Sequence, residues 1–566
     1  MQNQMQMSDT EFKIPFDASL YPVRELKAGN LTCLYENGNL RRIKKDQTEI
    51  LRMIYVAVRD EHWDTAHYTI ENENIEQTEK SFRITYTAVY YYLSVVYKAD
   101  VLIEGKDDHS IAFTMNGEAL SAFKRNRIGL CVLHPIKECK GIAVTIKNAA
   151  GEIDQHLFSN TISPHPLFTG IRQMNWMTRD SIVATLLFEG DIFETEDQRN
   201  WMDESYKTYS TPLTVPMPVL INPGEVMQQR VILKIIPPVP DSSVSGIPPI
   251  AGRADKVPFP KIGIARNGWS GPLSSGEITL LRKLPFEQYR VEIYFGSAYW
   301  KEELLTCISE ARRLETKLEL ILFFTPFFES EIKDLLVQVK GSESYIASIL
   351  PLYAERQVTP DFLSEYCYPV LKRTYPAIQV GYGTDRYFTE LNRERPVGES
   401  FDYVSFSCHP QAHAKDTRTL LENLAALPDI IETIRSFTKK PIAVSPVTFS
   451  KRKKRDEANG IVQEDPADIR QKQWFGAGWT LLCLYFLSGA DRICIYQTNG
   501  ESGILDNGIG GPIYKMLSAV KVFQAVWMRL ENDAADRKIV FGNGQHQKLV
   551  FLLDTEYGDP NSANNI

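Results

Sequence analysis

The chain has 566 residues, 43% of them hydrophobic and 24% charged, with a formal net charge of −8. This length exceeds what one apolar core supports and predicts two or three domains. The acidic balance lacks the basic face that nucleic-acid binding needs, which leaves small neutral or anionic molecules as the expected partners.

The first residues, Met1 to Asp9, carry neither a basic stretch nor an apolar core, so no secretory signal is read and a cytoplasmic protein is expected. Eight cysteines between Cys33 and Cys494 form no CxxC pair, and a chain of this size needs no disulfide staples. They are read as reduced and mostly buried. The longest apolar run, Trp474 to Leu487, is too short for a bilayer and is interrupted by Gly476 and Gly478, so it reads as a buried helix and no membrane partner is expected.

From Leu31 to Ile236 the segments are short, rich in Val, Ile, Thr and Tyr, and alternating, as in Phe82 to Ala88. Further strands are expected at Gly141 to Lys147, Ser181 to Phe188 and Arg230 to Ile236, with turns at Asn116-Gly117 and Gly151-Glu152. The pattern predicts an antiparallel β-sandwich. Pro237 to Pro260 holds seven prolines and is expected to stay out of any sheet.

Beyond it, short apolar strands alternate with helical stretches. Eight strands are predicted: Lys261–Ala265, Val291–Phe295, Leu318–Phe324, Ile346–Leu352, Ile378–Tyr382, Tyr403–Ser407, Ile442–Ser445 and Arg492–Tyr496. Helices are expected at Lys301–Glu315, Glu329–Val339, Pro360–Thr374, Thr417–Phe437 and Ala467–Leu487, with a last one near Ile513–Arg529. Eight βα units over such a span predict a (β/α)8 TIM barrel. Lys538–Phe541 and Lys548–Leu553 form an expected C-terminal hairpin across Gly542-Asn543-Gly544. The resulting domains are 1–240, a β-sandwich; 241–260, a linker; 261–530, the barrel; and 531–566, a hairpin packing on the sandwich or starting a small β unit.

In such a barrel the reacting groups lie at the C-terminal strand ends. After the fifth strand, Gly381 to Arg393 offers Asp385 and Glu390 as acid or base, with Asn392, Arg386 and Arg393 to hold substrate oxygens. After the sixth, His409 and His413 have a helical metal-ligand spacing, but Pro410 between them opposes a helix and no third ligand follows, so no metal is expected. His409, Gln411 and His413 are read instead as hydrogen-bonding or proton-transfer groups. Gln497 ends the eighth strand and, being neutral, can only orient a substrate. Lys451 to Arg455 after the seventh reads as a solvated basic loop, or as a lid attracting anions. Absence of a phosphate loop, a nucleotide fingerprint or a nucleophile elbow leaves no cofactor expected.

The densest functional stretch lies earlier, at Glu189 to Tyr209, with seven acidic residues against Arg199 and Lys207. Glu194, Glu196 and Asp203 are candidate proton-transfer groups, Arg199, Asn200 and Lys207 candidate donors, and Trp201 a ring to stack on. The alternative is a helix whose Arg199, Asp203 and Lys207 form a surface ladder.

Arg125 to Pro135, Phe188 to Tyr209, Gly383-Thr384-Asp385 with Phe388 to Arg393, and Pro410 to Ala414 together resemble the D-apionate lactonase family, enzymes of apiose and apionate catabolism. The resemblance implies a hydrolase that opens a sugar lactone to its acid without a cofactor, built on a glycosidase-like barrel with a β-sandwich. His409 stands where the family more often has asparagine and Gln497 where it has glutamate, and the basic loop is a further departure. The mechanism this suggests has Glu390 or Asp385 activating water, Arg199, Asn200 or Lys207 steadying the oxyanion, and Glu194, Glu196 or Asp203 assisting proton transfer. It requires the acidic stretch to reach over the barrel mouth. A retaining glycoside hydrolase, with two carboxyls about 5 Å apart, and a non-catalytic carbohydrate-binding protein are the rivals.

Overall fold

A computed structural model describes residues 10–14, 21–236, 256–452, 467–532, 537–544 and 547–553. The chain forms two units. One comprises Leu20–Arg199 and Glu204–Gly252; the other comprises Met1–Ser19, Asn200–Asp203 and Arg253–Ile566.

The first unit is a sandwich-like β structure. Seventeen strands pair antiparallel in one continuous system among the described residues, from Val23–Ala28 to Val226–Ile236. Alternation produces the core. In Phe82–Tyr92 every second side chain from Phe82 to Tyr90 is buried, and these meet Ile103, Phe113, Ile128, Leu130 and Leu186 in one apolar cluster. Asn116-Gly117 is not a turn: it lies inside the strand Ser110–Ala119, opposite Asp100 and Ala99. Glycine is needed there because the Tyr97 ring crosses the strand, and a β-carbon would sit 1.9 Å from its hydroxyl. Gly151, with φ +87°, does make the turn into Ile153–Leu157.

The second unit contains a closed barrel of parallel strands β1 (Lys261–Ala265), β2 (Phe286–Tyr294), β3 (Lys317–Phe324), β4 (Ile346–Tyr353), β5 (Gln379–Gly383), β6 (Tyr403–Cys408), β7 (Ile442–Val447) and β8 (Arg492–Asn499). Lys261–Ala265 pairs with Arg492–Gln497, which closes the ring. β2 begins earlier than its apolar half predicts because Gln288, Arg290 and Glu292 share the ladder with β3. The expected helix Thr417–Phe437 is broken into Thr417–Glu422, a 3-10 turn Asn423–Ala426 and Leu427–Phe437. Trp474–Phe486 is the expected buried helix, enclosed on all sides.

The last helix stops at Phe523, where Gln524 adopts a left-handed conformation, and Trp527–Asn532 is a strand rather than its continuation. That strand joins a five-stranded sheet ordered Thr10–Ile14, Lys548–Leu553, Arg537–Gly542, Trp527–Asn532, Val257–Pro258. The expected hairpin thus forms, and the sheet packs on helix Trp474–Phe486. The end of the proline-rich stretch also pairs, contrary to expectation. Val257–Pro258 is an edge strand, where a missing N–H is tolerated; residues 237–255 of that stretch lie outside the described residues. All eight cysteines are free and buried. No helix among the described residues is long and apolar enough to cross a membrane.

Two buried histidines make the fold acid-sensitive. Burial pulls His134 of the β unit and His409 of the barrel unit down to about 3 from an ordinary 6.5. Both stay neutral when folded and charge when unfolded, so the unfolded chain binds more protons below the ordinary value. Stability is therefore complete above about pH 6.5 and falls by about 1.4 kcal/mol per pH unit for each histidine as pH drops toward about 3. Urea midpoints measured between about pH 7 and pH 5 should show this slope, and His409→Gln should reduce it for the barrel unit.

Candidate active site

At the C-terminal ends of β1, β2, β7 and β8 lies a small pocket open to solvent. Its wall combines Arg266, Arg290, Glu292, Glu303 and Arg452 with Thr448 and Gln497, and with the rings of Trp269, Tyr294 and Tyr496. The strand register explains the chemistry of one side. In β2, Tyr289, Val291 and Ile293 are buried apolar residues of one face, so Arg290, Glu292 and Tyr294 share the other.

Glu292 is the most constrained charge in the pocket. Its Oε1 receives Arg290 Nη1 at 2.6 Å and Arg452 Nη1 at 2.6 Å, and its Oε2 receives the Tyr294 hydroxyl at 2.8 Å. Burial by itself would raise this carboxyl, but Arg290 and Arg452 overcome that and hold it well below the usual carboxylate range. Burial and the neighbouring Glu292 push the Tyr294 hydroxyl far up, so it acts only as a donor. The second fork of Arg452 reaches Asp385, with Nη2 donating to Oδ2 at 2.9 Å and to the main-chain oxygen at 2.8 Å. One guanidinium thus joins a β2 carboxylate to a carboxylate just past β5. Arg452 belongs to the run expected to be a solvated loop or a lid; it is instead largely buried, while Lys453 to Arg455 lie outside the described residues.

The loop after β6 is stitched to this wall. The Gln411 N–H meets His409 Nδ1 at 3.3 Å, which leaves the ring proton on Nε2, against the Tyr387 hydroxyl. Gln411 Nε2 donates to Phe449 O and Asp468 Oδ2, both at 2.9 Å, and Thr448 N donates to Cys408 O at 3.0 Å. His409 and Gln411 therefore serve this loop's own structure. His413 turns elsewhere: its Nδ1 faces Asp203 Oδ2, and Asn423 Nδ2 donates to Asp203 Oδ1 at 2.6 Å. The histidines do not converge, and no group of three potential ligands among the described residues is placed to hold a metal.

The acidic stretch is not a helix. It runs as strand Phe193–Asp197, a 3-10 turn Gln198–Trp201 and strand Ser205–Tyr209, so the ladder of Arg199, Asp203 and Lys207 does not form. Its Asn200–Asp203 segment groups with the barrel unit. Asn392 donates to Asn200 at 2.9 Å, Arg393 lies 5.6 Å from the centre of the Trp201 ring, and that ring meets His413 edge-on at 5.4 Å.

The other expected members belong to the β unit. Glu194 accepts from Tyr209 and from the Leu213 N–H at 2.5 Å, and Glu196 pairs with Lys207 at 2.6 Å. Arg199, with no exposed surface, is gripped by Asp197 and by Ser159 O at 3.0 Å. Of the expected site residues, Gln497 alone lines the pocket; Asp385 touches it through Arg452, and Glu390 sits half-buried on the short helix Phe388–Arg393. Sequence reasoning passed over Glu292, Arg290, Tyr294, Trp269 and the pairing of Arg452. The charged residues alternating with Val291 and Ile293 in a barrel strand were the available signal.

Comparison with known proteins agrees with this division. Residues 14–237 match the N-terminal domain of D-apionate lactonase, and residues 262–526 match its TIM barrel domain. A D-apionate lactonase of Brucella anthropi is 30% identical over 459 residues, covering 76% of this chain and 75% of the relative. Among solved structures, a family 51 α-L-arabinofuranosidase from Bifidobacterium longum aligns with 54% of this chain and 86% of its own, at 9% identity and TM-score 0.35. An endo-β-1,4-mannanase from Thermotoga petrophila aligns with 53% and 92%, at 11% identity and TM-score 0.33.

Proposed function

Because the chain belongs to the D-apionate lactonase family, we propose that it is a lactonase-type hydrolase that opens a sugar-derived, D-apionolactone-like lactone in the pocket at the ends of β1, β2, β7 and β8. The observation that carries this reading is Glu292, held ionised between Arg290 and Arg452. A glycoside hydrolase needs a carboxylic acid kept protonated to release its leaving group. Glu292 is tuned the opposite way, Glu303 is paired with Arg266 at 3.7 Å, and Gln497 puts a neutral amide at the end of β8.

Lactone opening asks for different groups. Glu292 binds a water and takes its proton as the water oxygen bonds to the lactone carbonyl carbon. The carbonyl electrons move onto oxygen, where Arg452 and Gln497 are the available donors. When the intermediate collapses, the ring C–O bond breaks and the departing oxygen takes the proton back from Glu292. The two arginines make Glu292 a weak base, so the water's proton moves only as the new C–O bond forms, and the acidified carboxyl returns it readily, which restores the carboxylate.

A pH-indicator screen of small sugar lactones reads acid release directly. Glu292→Gln should lower the rate on the order of a hundredfold or more; near-normal turnover by that variant removes the assignment. Since Glu292 stays ionised, kcat/KM of the wild type should show no acid limb between about pH 5 and pH 8. Turnover of an aryl glycoside without lactone opening would favour the glycosidase reading.

A further inference from the structure

We propose that the Trp269 indole is the platform on which the C–H face of the substrate ring stacks, so that the pocket selects compact, neutral polyhydroxylated lactones with one apolar ring face. This rests on the lactonase reading above and adds the element that recognises the ring.

Trp269 lines the pocket with 52% of its surface exposed. An aromatic ring left half in water beside a polar cavity gives up burial that the fold otherwise gains. Yet the turn carrying it is held firmly. The Trp269 N–H donates to Asn267 Oδ1 at 3.0 Å, and Asn267 Nδ2 donates to Asn499 O at 3.0 Å. Ser270 Oγ donates to Asn499 Oδ1 at 3.2 Å, and Asn499 Nδ2 donates to Glu277 Oε1 at 2.6 Å. Glu277 in turn closes the capping box with Ser274 at the start of helix Ser275–Leu281. The indole is therefore presented by a frame that ties the loop after β1 to the end of β8, the strand that carries Gln497.

The same pocket wall also carries polar groups. Gln497 and Arg452 offer donors suited to hydroxyl and carbonyl oxygens, while Tyr294, stacked on Phe323 at 4.3 Å and 2°, stiffens a second ring of the wall. A sugar lactone has both faces this pocket supplies: C–H groups for an aromatic surface and oxygens for polar edges.

The test uses the full chain with four- to six-carbon aldonolactones and the matching lactams, which keep the neutral ring and resist hydrolysis. Trp269→Ala should raise KM about tenfold or more, with the larger part of the loss in KM rather than kcat, and Trp269→Phe should restore most of it. Binding is read separately as a change in tryptophan fluorescence on adding the lactams, present in the wild type and absent from Trp269→Phe. An unchanged KM in Trp269→Ala, or the same fluorescence change in Trp269→Phe, overturns the platform while leaving the lactonase reading intact. Fluorescence change confined to Trp269 in a protein that opens no lactone supports the platform and removes the lactonase reading; neither signal removes both.

Discussion

Arg452→Met is expected to lower lactone opening by about a hundred- to a thousandfold. Arg452 touches both Glu292 and Asp385, and its side chain is only 13% exposed. Its loss removes a cationic donor from the pocket and also one of the two charges that hold Glu292 ionised. The sign of the second effect is definite. With only Arg290 and the Tyr294 hydroxyl left against burial, the Glu292 carboxyl rises, so any acid limb should move to higher pH. Arg452→Lys keeps the charge but not the fork that spans two carboxylates, and should recover only part of the rate. A rate within threefold of wild type in Arg452→Met, with an unshifted pH profile, would count against the site.

The largest effect on stability is expected at Asp197. Asp197→Ala should destabilise the β unit by about 3–5 kcal/mol, because it leaves the Arg199 cation buried without its carboxylate. Neither side chain has exposed surface, and the pair is bidentate, with Arg199 Nε to Oδ1 at 2.9 Å and Nη2 to Oδ2 at 2.7 Å. The Tyr206 ring, 5.0 Å from the Arg199 guanidinium, and Ser159 O hold the cation but carry no charge to balance it. Arg199→Met in the Asp197→Ala background should recover part of the loss, since the unbalanced charge is then gone. Urea denaturation followed by tryptophan fluorescence measures both; a loss below about 1 kcal/mol in the single variant would contradict the pairing.

The barrel was legible in the sequence because parallel strands covered on both faces read as apolar runs, and each of the eight lies where such a run is found. What escaped were places where tertiary contacts outweigh local preference. Asn116-Gly117 carries a turn signature, but Tyr97 needs the space that Gly117 leaves. Arg452 sits among Lys and Arg residues, a composition that ordinarily means solvent exposure, and its partners are 67 and 160 residues away. Glu292 was hidden for a related reason: Arg290 stands two residues before it in the same strand, but Arg452 lies 160 residues further on. Asn200, Trp201 and Asp203 were singled out from the density of acids, and the barrel unit does include them, whereas Glu194, Glu196, Arg199 and Lys207 engage one another or close neighbours within the β unit.

The barrel unit recruits three separate pieces of chain: the N-terminal strand Thr10–Ile14, the four residues Asn200–Asp203, and everything from Arg253 onward. A gene fragment begun at the proline-rich stretch would encode every barrel strand and still omit the carboxylate that Asn423 and His413 engage, together with the strand that edges Lys548–Leu553. Dissection by truncation therefore yields an incomplete protein, and any assignment of labour between the halves is better made by point substitution in the intact polypeptide.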